Sequence, residues 1–99
     1  MGKDKEYFLI EISGNSCPTC AVLKSNVEEA VKEFPDITYY YVDDETTSRT
    51  YIEQLNLQHL PALVLISHGA VLGIAYGGQP PEIIREWLTA KVEGERENG

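Results

Sequence analysis

Cys17 and Cys20 are the only cysteines in this 99-residue chain, and two residues, Pro18 and Thr19, separate them. A pair so spaced can form an internal disulfide, supply half of a metal site, or remain two unreactive thiols. A purely structural bridge is an inefficient use of it: closing so small a loop removes less unfolded-state entropy than the roughly 3 kcal/mol assigned to a 15-residue loop. A secreted disulfide framework would instead spread several pairs along the chain. Zinc would need two further ligands, and His59 and His68 are the only histidines. If residues 62–67 form a strand, His68 lies roughly 20 Å from Pro61 at about 3.3 Å per residue, too far for both rings to reach one ion easily. Exchange chemistry is favoured: the Cys17 thiolate attacks a disulfide, a mixed disulfide forms, and Cys20 resolves it.

That chemistry needs the first sulfur where its negative charge is stabilised. Residues 7–12 form an almost unbroken apolar run, interrupted by Glu11, and stop at Ser13-Gly14-Asn15-Ser16, a turn-forming cluster. From Pro18 the period changes: Leu23, Val27, Ala30, Val31 and Phe34 share one helical face, with Lys24, Ser25, Glu28, Lys32 and Glu33 opposite, until Pro35. The Cys pair therefore falls where a strand's loop enters a helix. Unpaired N–H groups and the helix dipole there favour a thiolate, and Pro18 suits a first turn that needs no N–H donor. Such motifs bring a cysteine from its free value of about 8.5 into the range of roughly 3.5–7.5.

The remaining pattern supplies the scaffold. Residues 38–42 are rich in Tyr and Val and predict a second strand, closed by Asp43-Asp44. Tyr51, Ile52 and Leu55 predict a helix over about 47–57. Residues 62–66 and 71–76 are apolar runs joined by Ser67-His68-Gly69-Ala70, a hairpin. After Gly77-Gly78, Pro80 and Pro81 open a last helix with the stripe Ile83, Ile84, Trp87, Leu88 and Val92. The tail 93–99 has no apolar residue and is expected to be disordered. One domain over residues 1–92 follows, an α/β fold in the order β-α-β-α-β-β-α, with a mixed four-stranded sheet flanked by three helices. No internal repeat, low-complexity segment or linker breaks it.

Sixteen acidic against eight basic residues give a formal charge of −8. That balance repels phosphate backbones and anionic lipid, so neither nucleic acid nor membrane is an expected partner. The apolar runs are far short of the roughly 20 residues of a membrane helix. No signal peptide is expected, since no basic, apolar, small-residue pattern opens the sequence, and Glu6 occupies the position where a myristoylation signal has Ser or Thr. The expected location is the cytoplasm, and the expected state a monomer.

Across residues 6–92 the order of strand, C-x-x-C helix, strand, helix, X-Pro before a hairpin, glycine pair and closing helix resembles the thioredoxin and glutaredoxin superfamily. The resemblance implies a thioredoxin-like fold and a thiol-disulfide oxidoreductase serving electron transport and cell redox homeostasis. Its only redox centre would be the Cys17–Cys20 disulfide, with no bound cofactor and no metal. It also implies that Leu60-Pro61 is a cis peptide facing the Cys pair, with the Leu60 backbone pairing an extended substrate, and that Gly77 is the family's hairpin glycine. Glu11 occupies the place of the buried thioredoxin Asp that helps move the resolving thiol's proton; a carboxyl raised by an apolar setting suits that task. The sequence departs from thioredoxins in having Ser16 before the first Cys and Pro18-Thr19 between the pair, which is closer to glutaredoxin and implies a less reducing couple. Gly77-Gly78 ahead of a helix is similar to a glutathione-cradling loop, yet Gln79-Pro80 replaces the family's acidic residue and the nearest basic residue in sequence is Lys24. Protein disulfides are the expected substrates, with a reductase or glutathione as electron donor. The alternatives are a redox-inactive thioredoxin-like binding module and a metal-binding cysteine pair.

Other residues carry plainer expectations. His59, though close to Pro61, is expected to be solvated. Tyr39-Tyr40-Tyr41 is expected to alternate between the two faces of its strand as packing, Trp87 to enter the core, and Asp43-Asp44-Glu45 to form a solvated turn.

Overall fold

The computed structural model describes residues 7–14 and 17–98; residues 1–6, Asn15, Ser16 and Gly99 lie outside it. The elements are β1 (Tyr7–Ile12), α1 (Pro18–Val31), β2 (Ile37–Val42), α2 (Glu45–Leu55), β3 (Ala62–Ser67), β4 (Ala70–Tyr76) and α3 (Pro81–Asn98). The sheet order is β2-β1-β3-β4, with β1 parallel to β2 and the β1–β3 and β3–β4 pairs antiparallel. This is the expected thioredoxin-like order and sheet.

Because side chains alternate along a strand, β1 builds two cores at once. Tyr7 and Leu9 join Leu63 and Leu65 under Leu23, Val27 and Ala30 of α1 and Ile84, Leu88 and Val92 of α3. Ile10 and Ile12 join Ala62 and Val64 on the opposite face, against Leu57 and the Tyr51, Ile52 and Leu55 side of α2. A strand flanked on both edges and covered on both faces must be apolar nearly throughout, which explains its almost unbroken run.

Several boundaries differ from the sequence-based expectation, each for a local reason. Helix α2 begins two residues earlier than predicted because the Asp44 carboxylate accepts from the Thr47 N–H at 2.8 Å and caps it. It ends at Leu55, where Asn56 turns left-handed with φ 55°. The hairpin is one residue tighter on each side, with His68 and Gly69 both at positive φ (54° and 79°), as a two-residue type I′ turn requires.

The expected disordered tail from residue 93 is corrected: α3 continues to Asn98. An apolar stripe is not the only way to hold a helix. Glu, Lys and Arg are good helix formers, and Glu95 accepts a hydrogen bond from the buried Tyr7 hydroxyl at 3.1 Å, pinning the last turns to the start of β1. Within the stripe itself Ile83 is exposed and Trp87 only partly buried. No helix among the described residues is long and apolar enough to cross a membrane.

Candidate active site

Cys17 and Cys20 are joined by a disulfide, with Cα atoms 5.2 Å apart. Cys17 is the N-cap of α1 and Pro18 its first helical residue, so the pair occupies the helix start. The Cys20 N–H donates to Cys17 Sγ at 3.2 Å and to the Cys17 carbonyl at 3.1 Å. A helix N-terminus that directs one of its own N–H groups at a sulfur is suited to hold that sulfur as an anion. Exposure separates the two cysteines: Cys20 is 1% exposed, whereas Cys17 is only partly buried.

The proline loop and the glycine loop both approach the segment that carries this pair. The Leu60–Pro61 peptide is cis, as the resemblance implied. Pro61 is buried and its carbonyl accepts from the Gly77 N–H at 3.0 Å, which ties the proline loop to the end of β4. Gly77 has φ 87°, a conformation that favours glycine. Gly78 approaches the Cys motif so closely that a Cβ there would lie 2.8 Å from Thr19 Cγ2. Asn26 of α1 donates to the Gln79 carbonyl at 2.9 Å and fixes the glycine loop to the helix carrying the sulfurs. On the other side, Leu60 Cδ1 abuts Gly14, three residues before Cys17. The Gln79 side chain folds back and donates to the Tyr76 carbonyl at 3.0 Å.

Glu11 is fully buried on the sheet face under α1. Tyr39, on β2, donates its hydroxyl to Glu11 Oε1 at 2.7 Å, while Oε2 has no hydrogen-bond partner among the described residues. Burial raises the Glu11 pKa to about 7, against smaller lowering effects of the Tyr39 hydrogen bond and the Lys24 charge. Lys24 itself pairs with Glu28 at 2.8 Å and lies 5.5 Å over the Tyr41 ring. Burial and the bond to Glu11 push Tyr39 upward, so its proton stays on the phenol and available for donation. An acid that is half ionised near neutral pH can take up and return a proton without large cost.

Tyr39 is the residue that the sequence analysis missed. The tyrosine run does alternate, with Tyr40 half exposed and stacked beside Phe8, but Tyr39 is more than packing. The available signal was a carboxylate in a buried strand, which needs a donor from its neighbour. His59 is exposed and packs edge-on against Tyr76, and His68 lies at the far end of β3 beside Ser67. Among the described residues no three His, Cys, Asp or Glu side chains are grouped as metal ligands would be. In the Asp43-Asp44-Glu45 cluster, Asp44 is the α2 cap and Glu45 pairs with Arg49 at 2.8 Å.

Residues 1–90 match the family model described as Thioredoxin. No curated protein sequence matches the chain significantly. Among solved structures, the chain is similar to thioredoxin from Trypanosoma brucei brucei with a TM-score of 0.74 and 19% identity, over 91% of this chain and 78% of that one. It is similar to Fasciola hepatica thioredoxin with a TM-score of 0.73 and 18% identity, over 89% and 83% respectively. A further likeness, with a TM-score of 0.71 and 15% identity over 94% and 80%, is to a structure of a ferredoxin:thioredoxin reductase and thioredoxin f2 complex.

Proposed function

This chain belongs to the thioredoxin family, and from that premise we propose that it is a thiol-disulfide oxidoreductase acting on protein disulfides. The observation that carries the proposal is the unequal burial of two bonded sulfurs at one helix start, Cys17 accessible and Cys20 enclosed.

In the reducing direction, the Cys17 thiolate attacks one sulfur of the substrate disulfide. The substrate S–S bond breaks, a Cys17 mixed disulfide forms, and the first substrate sulfur leaves as a thiolate that takes a proton from water. Cys20 then gives its proton to the Glu11 carboxylate and attacks Cys17 Sγ. The second substrate sulfur departs as a thiolate and is protonated by the proton that Glu11 releases to solvent, and the Cys17–Cys20 disulfide is restored. Two electrons pass from the dithiol to the substrate, and an external donor, a reductase or glutathione, must return them. The likeness to a thioredoxin seen with a reductase supports a reductase as that donor.

Leu60 at 37% exposure and the Gly77-Gly78 loop flank the sulfurs on either side, suited to hold an extended substrate segment. The proposed location is the cytoplasm, where a reducing pool keeps a catalytic dithiol cycling, and the proposed working unit is a monomer.

Reduced protein should cleave a peptide disulfide stoichiometrically, and Cys17→Ser should lower the rate by at least about a thousandfold. Cys20→Ser should accumulate the mixed disulfide, visible by mass spectrometry. A Cys17 thiol that titrates near 8.5 like a free cysteine, with reduction unaffected by Cys17→Ser, would assign the fold to binding instead.

A further inference from the structure

A cavity of about 420 Å³ opens on the α2 side of the candidate active site. Ser13, Gly14 and Leu60 form one wall, and Ser48 and Ile52, one helical turn apart on α2, form the other. Its volume lies within the roughly 300–1,000 Å³ of ligand pockets, enough to enclose one long side chain. Two features of the lining are unspent. Ser48 is 4% exposed, and its hydroxyl has no hydrogen-bond partner among the described residues. A buried hydroxyl left unpaired costs stability until a donor or acceptor reaches it. The rim is acidic: Asp43, Glu45 and Glu53 face a single cation, Arg49, which Glu45 already holds at 2.8 Å. Asp43 and Glu53 enter no ion pair among the described residues.

Leu60 joins this cavity to the substrate path. Its side chain lines the cavity, and its backbone is the proposed pairing edge for the substrate, so a residue beside the substrate's reacting cysteine can direct its side chain inward.

We propose that the cavity is a specificity subsite for an arginine or lysine flanking the substrate disulfide, its aliphatic stem against Leu60 and Ile52 and its cationic head between Ser48 Oγ and the carboxylates of Asp43 and Glu53. This choice rests on the oxidoreductase function proposed above and names the substrates it prefers. A cation with an apolar stem satisfies both halves of the lining, since the stem covers the apolar wall and the head supplies donors to an orphaned hydroxyl and two unpaired acids. A purely apolar side chain leaves those groups unmet, and an acidic one is repelled.

The test uses peptide disulfides identical except for Arg, Leu or Glu beside the cysteine, with reduced full-length protein. The expected kcat/KM for the Arg peptide exceeds that for Leu by about 5–10-fold and that for Glu by more, with the advantage shrinking at high salt. Asp43→Asn with Glu53→Gln should bring the Arg advantage over Leu below about twofold; Ser48→Ala should lower the same advantage in part. Glu86→Gln with Glu93→Gln removes the same charge from exposed positions on α3 and should leave the preference intact. Equal loss in both double variants would assign the preference to net charge and overturn the subsite, as would no Arg preference at all. Binding of the same peptides with cysteine replaced by serine, followed through the amide signals of Ser48 and Leu60, reads the cavity without chemistry. Shifts specific to the Arg peptide are expected, and their absence overturns the subsite. Failure to reduce any peptide, with those shifts present, would overturn the oxidoreductase function alone.

Discussion

Beneath α1 and α3 the sheet buries a carboxyl group among its apolar side chains, whereas the buried residues beneath α2, Ile10, Ile12, Leu57, Ala62 and Val64, are wholly apolar. Glu11 and Ile12 are sequence neighbours, both without solvent exposure, yet they face opposite layers. One face of the sheet gives up stability to hold a titratable group under the helix that carries the sulfurs. The other holds no carboxyl in its cluster, and Ser48 of α2 is buried at the edge where recognition is proposed. The comparison teaches that a single strand can present apolar packing and a buried carboxyl at adjacent positions, and substitution on each face should test whether the carboxyl serves the proposed proton transfer.

The largest expected effect is on the apolar side. Ile12→Ala should cost about 2–5 kcal/mol in urea unfolding, and the loss should be nearly the same at pH 5 and pH 8 because nothing titratable is uncovered. A loss that varied strongly with pH would break the distinction between the faces. Next is Glu11→Gln. A carboxyl raised from 4.5 to about 7 on folding holds more protons in the native state than in the unfolded one between those values. Its neutral form is therefore no burden below about 4.5, stability falls as pH rises toward 7, and the full penalty stands above that. Glu11→Gln should remove that fall and raise stability at pH 8 by about 2 kcal/mol, while slowing resolution of the mixed disulfide by about 10–100-fold. Unchanged resolution would deny Glu11 its proton-transfer role.

A smaller effect is expected at Tyr39→Phe. Losing the 2.7 Å bond leaves both Glu11 oxygens without the phenolic donor, so the carboxyl rises further and the pH-rate profile moves to higher pH by about one unit. A merely structural tyrosine would lower stability without moving the profile. The smallest is Asp44→Ala at the start of α2, about 1 kcal/mol by thermal unfolding with the pH-rate profile in place.

The order of strands and helices was legible because both periods, 2 and 3.6, are written into the apolar positions of β1, α1 and the hairpin. The start of α2 was not, because Asp43-Asp44 serves equally well to end a strand or cap a helix, and only the Thr47 N–H contact decides. The length of α3 was underestimated because its last turns take a hydrogen bond from Tyr7, 88 residues away, and no local pattern announces such a partner. At the site, the position of the Cys pair followed from the residues, while the cis peptide followed only from resemblance. The Tyr39–Glu11 contact depends on parallel register, which sets Leu9 beside Tyr39 and Glu11 beside Tyr41, and register is not written in either strand alone.

The N–H of Cys20 that reaches Cys17 Sγ at 3.2 Å has a consequence for electron affinity. When the bridge opens, that acceptor becomes an anion, and the same contact becomes charge-assisted and stronger. Opening the bridge thus improves the helix's own terminus, and the dithiol form gains what the disulfide form lacks. Each tenfold advantage to the dithiol makes the couple about 30 mV more oxidising. The feature proposed to ready Cys17 for attack would therefore also make the protein more reluctant to give its electrons away.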